Sequence, residues 1–235
     1  MRNAFSFASI LSVSLLACDS GRGEPGARTE TPAVAVQNPA PDFVDNCQPC
    51  RFLIDSSLPP FAFTFAIDST AVGRSVTAIE VRRSDEQQAE RLQVHGMMPE
   101  APTEKIFFGA LDLNGDGNLD LMIATSRGVA NTYADYWRFV PASSTFAYLG
   151  NFPEFTIDSA TKRLKTYERG GAGGRLYQSK EWAFDADSLI VMREEVQEAG
   201  AKAGEFVLII RERADSAGAA LREVSRKRTR NTDKQ

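Results

Sequence analysis

The chain has 235 residues, 43% of them apolar, and a formal charge of −4. That apolar content suffices for the core of one large or two small domains and excludes a globally disordered protein. The mildly acidic balance excludes general affinity for nucleic acid.

At the N-terminus, Arg2 precedes an apolar stretch over residues 4–17. The stretch is too short to span a bilayer and polar sequence follows it, which is the layout of a cleaved secretion signal over residues 1–17. Its end, Leu15-Leu16-Ala17-Cys18, resembles the lipobox of bacterial lipoproteins, in which the cysteine thiol takes the diacylglycerol. An ordinary secretion signal with an incidental cysteine is the alternative. Lipidation at Cys18 would hold the mature protein on a membrane surface through the anchor alone. Residues 18–42 are rich in Gly, Pro, Ala, Ser and Thr and lack apolar periodicity, so they read as a flexible tether.

Beyond Cys18 the only cysteines are Cys47 and Cys50, separated by Gln48-Pro49. In an oxidising compartment they form one short-range disulfide most simply. A thioredoxin-like redox pair is the alternative, but the flanks look extended and no βαβ pattern surrounds them. Zinc has little support, because the single histidine, His95, is far along the chain.

From residue 43 to 227 the pattern is that of a β domain. Aromatic and β-branched runs broken by turn formers predict strands at 61–67, 75–82, 91–95, 105–111, 119–124, 133–140, 146–149, 163–169, 176–184, 188–193 and 205–213. Residues 85–92 and 194–203 allow a helical turn or two. The expected fold is all-β and antiparallel, propeller-like or a sandwich, with no repeat that establishes blades. The basic end from Arg222 reads as a solvated tail, with residues 228–235 disordered.

Within the β domain, residues 112–120 place Asp112, Asn114, Asp116, Asn118 and Asp120 at alternate positions, with Gly117 where a tight loop needs its bend. Calcium takes six to eight oxygen ligands, and this spacing turns several toward one centre, Asn118 through its backbone carbonyl. Ile123 stands where an EF-hand has its bidentate Glu, and both flanks read as strands. A brace of weak to moderate affinity, roughly 10⁻⁴ to 10⁻³ M, is expected here and not a signalling site. A hairpin turn that binds nothing is the alternative.

A glycine-rich stretch follows: Arg169, Gly170, Gly171, Ala172, Gly173, Gly174, Arg175, Leu176 and Tyr177. It lies between two predicted strands, so it forms either a flexible hairpin end or a protruding recognition loop. No Lys-Ser or Lys-Thr pair follows it, which excludes a phosphate loop. No catalytic constellation stands out: His95 has no supporting neighbours, and Glu100, Glu104, Glu154 and Asp158 do not single out a pair. A non-enzymatic role is expected.

Residues 108–123, then Asn131-Thr132-Tyr133 with Tyr136-Trp137, Pro153-Glu154-Phe155-Thr156-Ile157-Asp158, Thr161-Lys162 and Thr166-Tyr167-Glu168 running into the glycine-rich stretch, follow one another in a family-like order. The series resembles Gram-negative periplasmic lipoproteins with one calcium loop, similar to the invertebrate-type lysozyme inhibitors. Some members are immunity proteins against secreted peptidoglycan hydrolases. The resemblance implies a periplasmic protein, anchored to the outer or inner membrane, that binds Ca2+ and blocks the cleft of a lysozyme-like or other peptidoglycan hydrolase. It carries the metal role to Asp112, Asn114, Asp116, Asn118 and Asp120, and partner binding to Arg169, the loop from Gly170 to Gly174, and Tyr177. The inhibitors' serine-glycine start is replaced here by Arg169-Gly170, and an arginine can pair with a glycosidase's catalytic carboxylates. The competing expectation is an envelope adhesion or structural module, because the calcium motif is also similar to integrin-like repeats.

Overall fold

A computed structural model describes residues 42–158, 160–214 and 218–230. The signal, Cys18, the tether up to residue 41 and residues 231–235 lie outside the described residues. The chain forms three antiparallel sheets in succession. The first contains β2 (Cys50–Phe52), β3 (Phe61–Thr70), β4 (Gly73–Arg83) and β5 (Glu90–Gln93). The second contains β6 (Phe107–Leu111), β7 (Asp120–Arg127), β8 (Thr132–Val140) and β9 (Thr145–Pro153), with β1 (Asp42–Phe43) paired on β6. The third runs β10 (Thr156–Asp158), β11 (Arg163–Arg169), β12 (Tyr177–Asp185), β13 (Ser188–Ala199), β14 (Glu205–Glu212) and β15 (Arg222–Arg230). Within each sheet, strands next to each other in sequence pair, apart from β1, which pairs with β6.

Side-chain alternation explains how the sheets stack. In β3 the buried residues are Phe61, Phe63 and Phe65, while Thr64 between them is exposed. These rings meet the second sheet: Phe63 and Phe65 lie 5.3 and 5.0 Å from Phe108, and Phe61 lies edge-on to Phe139 at 5.9 Å. Within the second sheet the inner strand β7 is buried on both faces over Asp120 to Thr125, which is why it reads Asp-Leu-Met-Ile-Ala-Thr with no polar face. Leu121, Ile123, Trp137 and Phe139 face the first sheet, whereas Met122, Ala134 and Tyr136 face a second core. That core includes Leu164 with Phe155, Trp182, Phe184 and Leu189 of the third sheet and its approach. Phe152 meets Trp182 edge-on at 5.3 Å.

The all-β, antiparallel expectation holds, with stacked sandwich-like sheets. Cys47 and Cys50 are joined as the expected disulfide. Two local expectations are corrected. No helical turn forms at 85–92 or 194–203. The first span is a turn leading into β5, and residues 194–199 extend β13. The glutamates there find partners across the sheet: Glu194 accepts hydrogen bonds from Gln178 Nε2 (2.7 Å) and Arg211 Nη1 (2.5 Å). The basic end is not a frayed tail as far as Arg230, because β15 pairs along β14. Arg226 and Arg228 stand opposite Ile209 and Val207, where their aliphatic stems can cover apolar surface while their charges stay in water.

Candidate functional site

The oxygen-rich loop connects β6 to β7. Asp112 and its neighbours build a closed set of side-chain-to-backbone bonds, with the Asp112 carboxylate accepting from the amides of Gly115 (2.6 Å), Asp116 (3.1 Å) and Gly117 (3.0 Å). The Asn114 carbonyl accepts from Asp116 N, and Asp116 Oδ1 accepts from Asn118 N. Gly117 has φ +89°, the left-handed bend expected from its place in the loop. Asp120, the first residue of β7, is 1% exposed and ties the loop to the core. It accepts from Leu113 N at 2.9 Å and from Phe139 N at 2.8 Å. Burial pushes its carboxyl up to about 7, the two amide bonds oppose this, and the charges of Asp116 and Asp112 add to it.

All five residues therefore gather on one loop, but their oxygens are turned mainly toward the loop's own amides. Among the described residues, no three His, Cys, Asp or Glu side chains converge in ligating geometry. The donor set is nevertheless all oxygen, and each Asp116 and Asp120 carboxylate oxygen accepts only one of these bonds. A second lone pair on each is left for a hard cation. The chemistry of the loop fits calcium better than a softer metal.

The glycine-rich stretch links β11 to β12 and bends through one irregular turn, α1 (Gly171–Gly174). Ala172, Gly173 and Gly174 take left-handed backbone angles in succession, with φ of +54°, +68° and +84°. Gly170 has a different reason to be glycine, since a Cβ there would stand 2.9 Å from the Leu176 carbonyl oxygen, to which its own amide donates at 2.6 Å. Arg169 and residues 170–173 are exposed.

A residue that the sequence places in the family-like series without a role of its own holds this loop in place. Asn131, from the β7–β8 turn, accepts from the Arg169 amide at 2.7 Å and donates to the Arg169 carbonyl at 3.0 Å. The side chain thus imitates a strand partner. Tyr177 is half-buried and its hydroxyl donates to Glu195 at 2.6 Å; that bond, with burial, pushes the phenol up to about 12. Tyr167 stacks on it with ring centroids 5.5 Å apart and is itself 51% exposed. Beside these rings lies an open, mostly polar cleft of about 700 Å³ between the β7–β8 turn and β11–β12, lined in part by Thr132, Glu154, Thr156, Lys165, Tyr167 and Ser179.

Elsewhere, the single histidine adjoins a buried acid. The Asp135 carboxylate accepts from His95 N (2.5 Å), Tyr148 Oη (3.1 Å) and Asn151 Nδ2 (2.8 Å), so it is satisfied as a structural hub. Of the four acids left unpaired by sequence, Glu100 and Glu104 adjoin; burial, then Glu104, pushes Glu100 up to about 7.

No known family's sequence profile matches the chain, and no curated protein matches it. Among solved structures, a Xanthomonas protein described as related to a type IV secretion system is similar, with a TM-score of 0.52 at 12% identity. The match covers 80% of this chain and 100% of that one. At this identity the likeness establishes a shared fold.

Proposed function

We propose that this chain is a lipid-anchored binding protein of the Gram-negative envelope that blocks the cleft of a lysozyme-like peptidoglycan hydrolase, with calcium bracing its scaffold. The observation that carries the reading is the Asn131 clasp, which holds an exposed glycine-rich loop at both backbone groups of Arg169. A loop fixed at its base loses less conformational freedom when it binds. Its exposed arginine is suited to the paired carboxylates of a glycosidase cleft, and the Tyr167–Tyr177 stack offers a rigid aromatic flank. The secretion-related description of the Xanthomonas protein is in keeping with an envelope setting. Anchoring through Cys18 rests on the sequence around it.

In this reading Asp112, Asn114, Asp116 and Asp120 would hold Ca2+ by side chain and Asn118 by its carbonyl. The ion would fix the β6–β7 connection and take no part in partner contact. The test is lysis of purified peptidoglycan by chicken-, goose- and invertebrate-type lysozymes, and by a hydrolase encoded beside this gene, with and without the protein in calcium. Slower lysis that is relieved by Arg169→Ala supports the proposal; undiminished lysis with no measurable binding rejects it.

The polar cleft beside the loop favours a second reading, an envelope module that binds polysaccharide. Hydroxyls next to a half-exposed tyrosine suit sugar rings. Pull-down from envelope extracts separates the two, since a hydrolase and a glycan are readily distinguished.

A further inference from the structure

Strand β15 ends the strand order of the third sheet, so its outer backbone groups have no neighbouring strand among the described residues. All nine of its residues are exposed, and five of them are basic: Arg222, Arg226, Lys227, Arg228 and Arg230. Strand alternation puts Arg226, Arg228 and Arg230 on one face, opposite Ile209, Val207 and Glu205, and Lys227 on the other. Arg226 is paired with Glu223 at 2.9 Å and approaches Glu198, and Arg228 approaches Glu205 at 3.9 Å. Among the described residues no ion pair reaches Lys227 or Arg230. A strongly basic edge in a chain of net charge −4 is a local reversal of sign.

We infer that β15 is a docking edge for an extended acidic segment of another protein, which adds to the sheet as a further strand carrying acids at alternate positions. Main-chain pairing supplies the attachment, and the arginine row on one face selects the sequence. The same charges argue against a second copy of this chain. Two β15 strands edge to edge would bring like charges together, and the other sheet-end strands among the described residues offer no acidic row: β9 has no charged residue, β1 has only Asp42, β10 only Asp158, β2 only Arg51, and β5 has Glu90 followed by Arg91. An anionic bilayer is also a poorer match, because its headgroups would meet the arginine row and leave the outer backbone groups of β15 without strand partners.

The test uses the purified full chain and a fluorescent ten-residue peptide that alternates Glu with Thr. A second peptide carries N-methyl groups on alternate residues, which removes main-chain donors along one edge and keeps the charge. Binding is expected for the first peptide, with affinity about tenfold weaker for the Arg226→Glu/Arg228→Glu variant and for the methylated peptide. Failure of the unmethylated peptide to bind would overturn the inference. So would equal affinity for both peptides with the wild-type chain, an arm that does not depend on the variant folding. Capture of the chain by phosphatidylglycerol vesicles that the peptide cannot displace would assign the edge to membrane instead.

Discussion

The amide of Asn131 reaches Arg169 across 38 positions of sequence and contributes two hydrogen bonds to its backbone. Asn131→Ala removes both, and a loss of about 1–2 kcal/mol is expected in urea unfolding. Faster amide exchange confined to residues 169–176 would show that the clasp, and not the sheet, has been loosened. Titration gives a second test at this scale. Asp120, Glu100 and Glu90 are all held above the ordinary carboxylate range by burial first. The folded chain therefore binds these protons more tightly than the unfolded chain does. That stabilisation is complete below about pH 4 and is lost as pH rises through the folded values, about 7 for Asp120 and Glu100. In chelator, melting temperature should fall between pH 5 and 7.5, and Asp120→Asn should flatten the fall. A melting temperature that rises over this range would contradict the assignment.

Among the elements, the β6–β7 loop is legible in sequence as to its place and its bend at Gly117. The structure turns its alternate oxygens mainly toward the loop's own amides and adds that Asp120 is buried and bonded to Phe139 N on β8. If the loop takes calcium, chelation should lower the melting temperature and Asp116→Ala should abolish the difference. Identical curves with and without chelator would show that the loop holds no stabilising metal. The long strands were also readable, because one face of β3 is a row of phenylalanines. Charge is a poor local guide elsewhere. Glutamates at 194 and 195 suit a helix locally, yet pairing with Gln178, Arg211 and Tyr177 across the sheet keeps them extended. The arginines of β15 suggested a solvated tail because a cross-strand neighbour such as Ile209 leaves no local signal. Of the strands of two or three residues, β1 and β2 coincide with the extended flanks of the two cysteines, while β10 is too short for periodicity to reveal. The Asn131 clasp was invisible for the same reason as any long-range contact.

For the whole molecule, the stacking of three sheets on two cores makes the second sheet the common support of both loops. Phe63, fully buried between the first and second sheets, tests that support: Phe63→Ala should cost about 3–5 kcal/mol of stability without a specific effect on the loop at 169–177. Partner binding by the surviving folded fraction should be unchanged per molecule, which separates a stability defect from a contact defect. Whether this scaffold presents the Arg169 loop to a peptidoglycan hydrolase is decided by titrating the full chain into peptidoglycan lysis assays in calcium, beside the Arg169→Ala and Asn131→Ala variants. Dose-dependent inhibition of at least one lysozyme-like enzyme is expected, strongest for the wild type and weakened by both substitutions. Full lysis at every concentration, or inhibition that both variants retain unchanged, would contradict that role of the loop.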